Sequence, residues 1–281
     1  MSKIKILVAC HKPGKVYQDD IYTPIHVGRA VSGYKEEMAG MIGDDTGDNI
    51  SEKNPKYCEL TAQYWAWKNL HDVDYIGFCH YRRYFNFENT ESQLTDMLKH
   101  KDVIALKMVF PFPMYWEIMR YISMEHLVIM MMVVKKKYPD YEQTMIDYLR
   151  GNVLYAKNMF ICKKELFDQY AEWLFDILSE CEKHMKPVPY SRLERSLAYM
   201  GEYLMPVYMM YHHKKMAFVD YCGNHEFVRH SWRWRAYIIR RHCWCHVIHR
   251  AYMMIFRRNR SLESYYQESV LVGFKQDQIE I

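Results

Sequence analysis

Apolar positions change period several times along this chain, and the changes mark out its elements. Ile4 to Cys10, IKILVAC, is an apolar run broken only by Lys5, as expected of a strand buried in a parallel sheet. His11-Lys12-Pro13-Gly14 ends it with turn chemistry. A second run, Tyr75 to Cys79, reads as a central strand that empties into His80, Tyr81, Arg82 and Arg83. Between them, Gly40 to Asn54 is polar and turn-rich, and a helical pattern follows from Pro55 to Leu70 with Leu60, Tyr64 and Trp67 in phase. Pro55 suits an early helical position, and Ser51 with Asn54 or Asp48 can cap the helix. Trp65 and Trp67 read as core residues in preference to ligand contacts.

Farther along, Glu91 to Lys99 predicts a helix and Asp102 to Leu106 a short strand. Pro111 and Pro113 in KMVFPFPMYW forbid regular helix and predict a loop, on which Tyr115 and Trp116 either stack a sugar or pack on the loop itself. The Met-rich run Leu127 to Val134 is too short to cross a bilayer and predicts a buried helix. Asn158 to Cys162 reads as a strand, and Lys164 to Lys183 as an amphipathic helix with Leu166, Tyr170, Trp173 and Leu174 on one face. Arg192 to Tyr211 is a further helical segment. Strands alternating with helices predict an α/β domain over residues 1–226 with a mostly parallel central sheet.

Residues 227–281 differ in character. From Arg229 to Arg260 there are nine arginines and no Asp or Glu, interleaved with Trp232, Trp234, Tyr237, Trp244 and Phe256. Membrane-surface attachment, polyanion binding and docking on the same protein would all use such a helix; the first is preferred, because indoles sit at headgroup depth and guanidiniums meet anionic lipid.

With 281 residues, half of them apolar or aromatic, the chain can bury a sizeable core. A net charge of only +4 argues against a dedicated nucleic-acid binder. The eight cysteines form no CxxC pair, so neither a zinc ribbon nor a disulfide framework is expected. No apolar signal segment precedes the first strand and no uncharged run is long enough to span a membrane, so a cytoplasmic protein, peripheral on the inner face of the cell membrane, is expected.

Ligands of open α/β sheets bind beyond the carboxyl ends of the strands, which places His80, Tyr81, Arg82 and Arg83 at a candidate active-site edge. Two guanidiniums there can hold phosphate oxygens bidentately; pairing with surface acids is the alternative, and the segment alone leaves both open.

Four blocks carry a resemblance. DNISEKNPKYCELTAQYWAWKN at Asp48 to Asn69, YIGFCHYRRYF at Tyr75 to Phe85, NMFICKKELFDQYAEWLFDIL at Asn158 to Leu178 and LERSLAYMGEYL at Leu193 to Leu204 closely resemble a bacterial family long labelled only as a domain of unknown function. Its members sit among capsular and exopolysaccharide biosynthesis proteins and look like GT-A-type glycosyltransferases. The first two blocks are the most specific; in the fourth, Tyr203 stands where relatives carry arginine. The resemblance implies a GT-A-like fold and transfer of a hexose, of galactose type on family grounds, from a nucleotide diphosphate sugar, UDP-linked by preference. The acceptor it implies is a glycan or lipid-linked oligosaccharide of a surface polysaccharide. A non-catalytic nucleotide-sugar or carbohydrate-binding scaffold is the rival reading.

Many GT-A enzymes hold a metal with Asp-x-Asp after the central strand. This chain has CHYRR there, without the oxygen ligands magnesium or manganese prefers. Arg82 and Arg83 are therefore expected to stabilise the diphosphate in place of a cation, with no cofactor beyond the donor. A metal site built from Asp44, Asp45 and Asp48 in the DDTGD stretch is the competing possibility, and a solvated turn is the preferred reading of that stretch. Glu202 is the candidate base of an inverting transfer, followed by Glu59, Glu125 and Asp140. His11, Lys12, Asn49, Ser51, Asn54, Lys68, His80 and Tyr81 are candidate donor contacts, each with a capping or surface-charge alternative.

Overall fold

The computed structural model describes residues 3–186 and 192–256. In chain order its strands and helices are β1 (Ile4–Cys10), β2 (Tyr22–His26), β3 (Ile42–Gly43), α1 (Asn54–Tyr57), α2 (Leu60–Asn69), β4 (Tyr75–His80), β5 (Tyr84–Phe85), α3 (Thr90–Leu98), β6 (Val103–Val109), α4 (Met114–Ile118), α5 (Met124–Lys137), α6 (Glu142–Arg150), β7 (Val153–Lys163), α7 (Lys164–His184), α8 (Ser196–Tyr211), β8 (Met216–Phe218), β9 (Tyr221–Cys222) and α9 (Trp232–Phe256). Seven strands form one sheet in the order β3-β2-β1-β4-β7-β6-β8. β1 runs parallel to β2 and β4, β2 to β3 and β6 to β8, whereas β7 is antiparallel to β4. This is the expected mixed α/β architecture, and the expected helix at the C-terminal side is α9.

The chain divides into two compact units interleaved along the sequence. The first holds residues 1–107, 155–175 and 212–228, and the second 108–154, 176–211 and 229–281. The Met-rich helix α5 builds the core of the second unit. Leu127 to Val134 are all buried, and His126 is buried beside them with Nδ1 2.8 Å from Ser196 Oγ. Tyr141 stacks on Tyr211 at 3.8 Å in the same unit.

In the first unit β1 and β4 form the centre of the sheet. Ile6, Val8, Ile76, Phe160 and Phe167 are buried around it. Gly77 makes this closure possible, because a Cβ there would lie 2.7 Å from Ile161 Cγ1 and 3.2 Å from Ile6 Cγ1.

β2 was invisible in the sequence, where Pro24 argues against a strand. The register explains its tolerance: β3 pairs only with Ile25 and His26, so Pro24 has no β3 partner waiting for an N–H. The helix expected from Pro55 to Leu70 is broken at Cys58, whose φ is +48°. The break lets Asn54 Nδ2–H donate to the Cys58 carbonyl at 2.8 Å and to Thr61 Oγ1 at 3.1 Å. β6 runs on to Val109, and β7 begins at Val153, five residues earlier than expected. The loop expected around Pro111 and Pro113 is short and leads into α4, where Tyr115 is buried. Arg257 to Arg260 of the basic segment lie outside the described residues.

Candidate functional site

The motif at the end of β4 is a tight turn. Arg83 N–H donates to the His80 carbonyl at 2.8 Å and His80 N–H to the Arg83 carbonyl at 3.2 Å, leaving Tyr81 and Arg82 at the corner. Tyr81 N–H donates to the Ala9 carbonyl at 3.3 Å, which ties the corner to the end of β1. The Tyr81 ring is buried, meets His11 edge-on at 5.4 Å and lies 4.8 Å beneath the Arg82 guanidinium. Immediately after the turn, β5 pairs with β9 and buries Tyr84 and Phe85. Tyr84 Oη accepts from Tyr17 N–H at 3.1 Å, and Tyr17 stacks on His225 at 3.6 Å. The turn is thus fixed on both sides. Arg82 and Arg83 project from it, exposed, and neither forms an ion pair with a carboxylate among the described residues. Burial pushes the Cys10 thiol up to about 12 and raises Cys79 well above the ordinary range, so these neighbours stay neutral.

On its other side the end of β4 meets a kink in β7. Lys157 and Asn158 are consecutive left-handed residues, with φ of +71° and +51°. The kink turns the Lys157 carbonyl onto His80, whose Nε2–H donates to it at 2.8 Å. A carbonyl only accepts, so the neutral ring carries its proton on Nε2 and presents Nδ1 as an acceptor. Asn158 Nδ2–H donates to Glu59 Oε1 at 2.9 Å, and Gln63 Nε2–H reaches the Asn158 carbonyl at 3.5 Å. The amino-terminal end of α2 is thereby held at the His80 end of the sheet, with a half-buried carboxylate at its tip.

A third cluster follows β2. Asp44 is fully buried and accepts from Gly28 N–H at 2.7 Å, Arg29 N–H at 3.1 Å and Ser51 Oγ–H at 2.5 Å. Asp45 pairs with Arg29 at 3.2 Å, and Asp48 accepts from Tyr64 Oη–H at 3.2 Å. The three carboxylates of the DDTGD stretch therefore serve three separate sets of protein groups. Gly28 needs both its φ of +68° and its missing side chain, since a Cβ would lie 2.6 Å from Asn54 Cγ.

The structure gives several of the expected donor contacts protein partners of their own. Ser51 does not cap the next helix but is fully buried between Asp44 and the Ala30 N–H. Asn49 closes a local turn, donating to the Gly47 carbonyl at 2.8 Å and accepting from Ser51 N–H at 3.1 Å. Asn54 packs on Gly28 and fastens the Cys58 break. Lys68 sits near the far end of α2, nine residues and about 13 Å of helix beyond Glu59. There its ammonium lies 3.4 Å over the Trp67 ring, away from His80. His11 and Lys12 do follow β1 beside the turn, His11 exposed and Lys12 half-buried. Glu202 is a half-buried residue of α8 in the second unit, next to Tyr203, whose burial holds its hydroxyl protonated well above the ordinary phenol range. Glu125 and Asp140 are exposed first-turn residues of that unit. Trp116 donates from Nε1–H to Tyr252 Oη at 2.9 Å within the second unit.

Sequence reasoning missed Lys157, and it used Asn158 only as the start of a strand. The signal available was Lys-Asn interrupting an apolar strand, with asparagine the side chain most tolerant of left-handed backbone after glycine.

The assembled edge offers two exposed guanidiniums, an imidazole of defined tautomer and a carboxylate held by an amide. Such a set can bind an anionic oxygen cluster and accept a proton. Among solved structures, the chain matches one titled as the apo structure of WbbM, a bifunctional glycosyltransferase, with 29% identity and a TM-score of 0.70. That match covers 79% of this chain and 45% of the other, so the chain spans less than half of the longer protein. The fold is accordingly that of a glycosyltransferase. No curated protein sequence matches the chain. The family model described as a domain of unknown function, DUF4422, matches residues 5–215, and the chain belongs to that family.

Proposed function

We propose that the protein is a glycosyltransferase that moves a hexose, of galactose type, from a UDP-linked or similar nucleotide diphosphate sugar to a surface-polysaccharide acceptor. The acceptor is a glycan or lipid-linked oligosaccharide of a capsule, exopolysaccharide or lipopolysaccharide, met at the cytoplasmic face of the cell membrane. The observation that carries this reading is the pair of exposed guanidiniums, meeting no carboxylate among the described residues, on a fixed turn at the carboxyl end of β4. Cleavage of a sugar–diphosphate bond builds negative charge on the leaving group, and preorganised cations aimed there lower the barrier without reorganising during the step. Arg82 and Arg83 fill this role, in a mechanism that does not require a metal ion. The likeness of the fold to a bifunctional glycosyltransferase supports the reaction class.

His11 and Lys12 flank the same turn and complete the donor contacts with His80 and Tyr81. For an inverting transfer, Glu59 is the carboxylate that the first unit itself holds beside His80, and it takes the acceptor hydroxyl proton; Glu202 is the rival for that role. The test is transfer from a panel of UDP-sugars to a lipid-linked acceptor, with and without EDTA. Turnover that persists under chelation and falls sharply in Arg82→Ala and Arg83→Ala supports the reading. Turnover that requires manganese defeats the arginine mechanism. Donor binding without any transfer favours a non-catalytic scaffold.

A further inference from the structure

α9 is anchored along one strip. Cys245 is buried, His249 Nε2–H donates to the Arg150 carbonyl at 2.8 Å, and Tyr252 Oη accepts from Trp116 Nε1–H while its ring meets Phe112 at 5.7 Å. Positions 245, 249 and 252 share one helical face. At about 100° per residue, Trp232, Ile239, Val247 and Met254 lie on the opposite side. They are 75%, 64%, 57% and 76% exposed. Trp244, on the flank, is 64% exposed. Arg233, Arg235, Arg240, Arg241 and Arg250 are all exposed, and none forms an ion pair with a carboxylate among the described residues. Exposed apolar and aromatic side chains interleaved on one face with Arg233, Arg240 and Arg250, which meet no carboxylate among the described residues, are an unusual surface to leave in water.

We propose that α9 lies on an anionic lipid bilayer, with Trp232, Ile239, Val247 and Met254 facing the acyl boundary and the arginines meeting lipid phosphates. No helix among the described residues is long and apolar enough to cross a membrane, so α9 lies along the surface. Charge selects this occupant over a second copy of the chain, because two such helix faces would bring their arginines together and α9 itself carries no Asp or Glu. The exposed aliphatic side chains select it over RNA, which would give Ile239, Val247 and Met254 nothing apolar to bury against. The inference deepens the membrane-face location proposed above but stands on observations independent of the reaction.

The test is co-sedimentation of the full chain with phosphatidylcholine vesicles, with and without phosphatidylglycerol, at low and high salt. Binding is expected only to the anionic vesicles and is weakened by salt. Arg240→Gln with Arg250→Gln should lower partitioning about thirtyfold, at roughly fivefold per arginine. Trp232→Ser with Trp244→Ser should lower it with no change in charge, and both pairs are exposed, so thermal unfolding should be unaffected. Equal affinity for neutral vesicles, or none for either kind, overturns the proposal. So does RNA binding without vesicle binding, or a dimer that the same substitutions dissolve. Transfer to a water-soluble acceptor should survive these substitutions, which separates failure of this proposal from failure of the glycosyltransferase reading.

Discussion

Replacing Asn158 should separate the backbone shape of the β7 kink from the work of its side chain. At φ +51° a residue without a locally bonding side chain loses about 1–2 kcal/mol, whereas glycine accepts the conformation freely. The Asn158 Nδ2–H bond to the Glu59 carboxylate belongs to the class worth about 1.5–3 kcal/mol, and the half-buried position of Glu59 argues for the lower end. Asn158→Ala loses both contributions, about 2.5–3.5 kcal/mol together. Asn158→Gly loses only the hydrogen bond, so it should be the more stable of the two by about 1 kcal/mol. Asn158→Asp keeps the shape but sets a second carboxylate against Glu59, and should be destabilised as pH rises through the carboxylate range. Equilibrium urea unfolding ranks the three, and donor turnover is measured alongside. If Asn158 positions Glu59, the Gly and Ala variants should lose turnover alike although they differ in stability. Equal stability of the two within about 0.3 kcal/mol would refute the strain argument. Full turnover in Asn158→Gly would remove Glu59 from the mechanism.

Arg82→Ala and Arg83→Ala should each lower turnover by about 10²–10³-fold, the range for deleting one preorganised electrostatic contact. Their unfolding free energies should stay within about 0.5 kcal/mol of the parent, since both side chains are exposed and meet no carboxylate among the described residues. Gly77→Ala should cost about 1–3 kcal/mol in urea unfolding by crowding Ile161 and Ile6 across the central strand. Stability should also depend on pH through His126 and His26, whose burial lowers their pKa from 6.5. The unfolded chain takes up these protons first, so their contribution is complete above about pH 6.5 and is lost as pH falls through the folded values. A stability profile flat from pH 7.5 to 5.5, the approximate window either side of the unfolded value, would contradict this. His126→Gln should flatten the profile by up to about 1.4 kcal/mol per pH unit.

The centre of the sheet was legible because its strands are uninterrupted apolar runs: β1 was bounded to the residue, and Tyr75 to Cys79 fell one short of β4. The helices α3, α5 and α7 were legible because each buries one stripe or, for α5, nearly its whole surface. β2 was hidden by Pro24, and β3, β8 and β9 by their two or three residues, which hold too little pattern to read. Ser51, Asn49 and Asn54 were singled out as polar residues ahead of a helix, but a polar side chain in a turn either meets ligand or ties the backbone. Which it does depends on partners distant in sequence, as Asp44 and Gly28 show. Glu59 and Asn158 are 99 residues apart, and only folding brings them together.

The two clusters of charge near the carboxyl ends of the strands differ in the property that decides their chemistry. In the DDTGD stretch every carboxylate already has a protein partner, and Asp44 is buried with three hydrogen-bond donors. Recruiting Asp44 to a cation would strip two backbone N–H groups and a buried hydroxyl of their acceptor, each at a cost of about 1–3 kcal/mol. The arginines of the β4 turn are in the opposite state. The turn that carries them is fixed by the β5–β9 pairing after it and by Tyr81 N–H on the Ala9 carbonyl, yet their guanidiniums meet no acid among the described residues. Charge that is rigidly carried but uncompensated is stabilising only when an anion arrives, and a diphosphate, unlike a lone carboxylate, has enough oxygens to engage both forks at once.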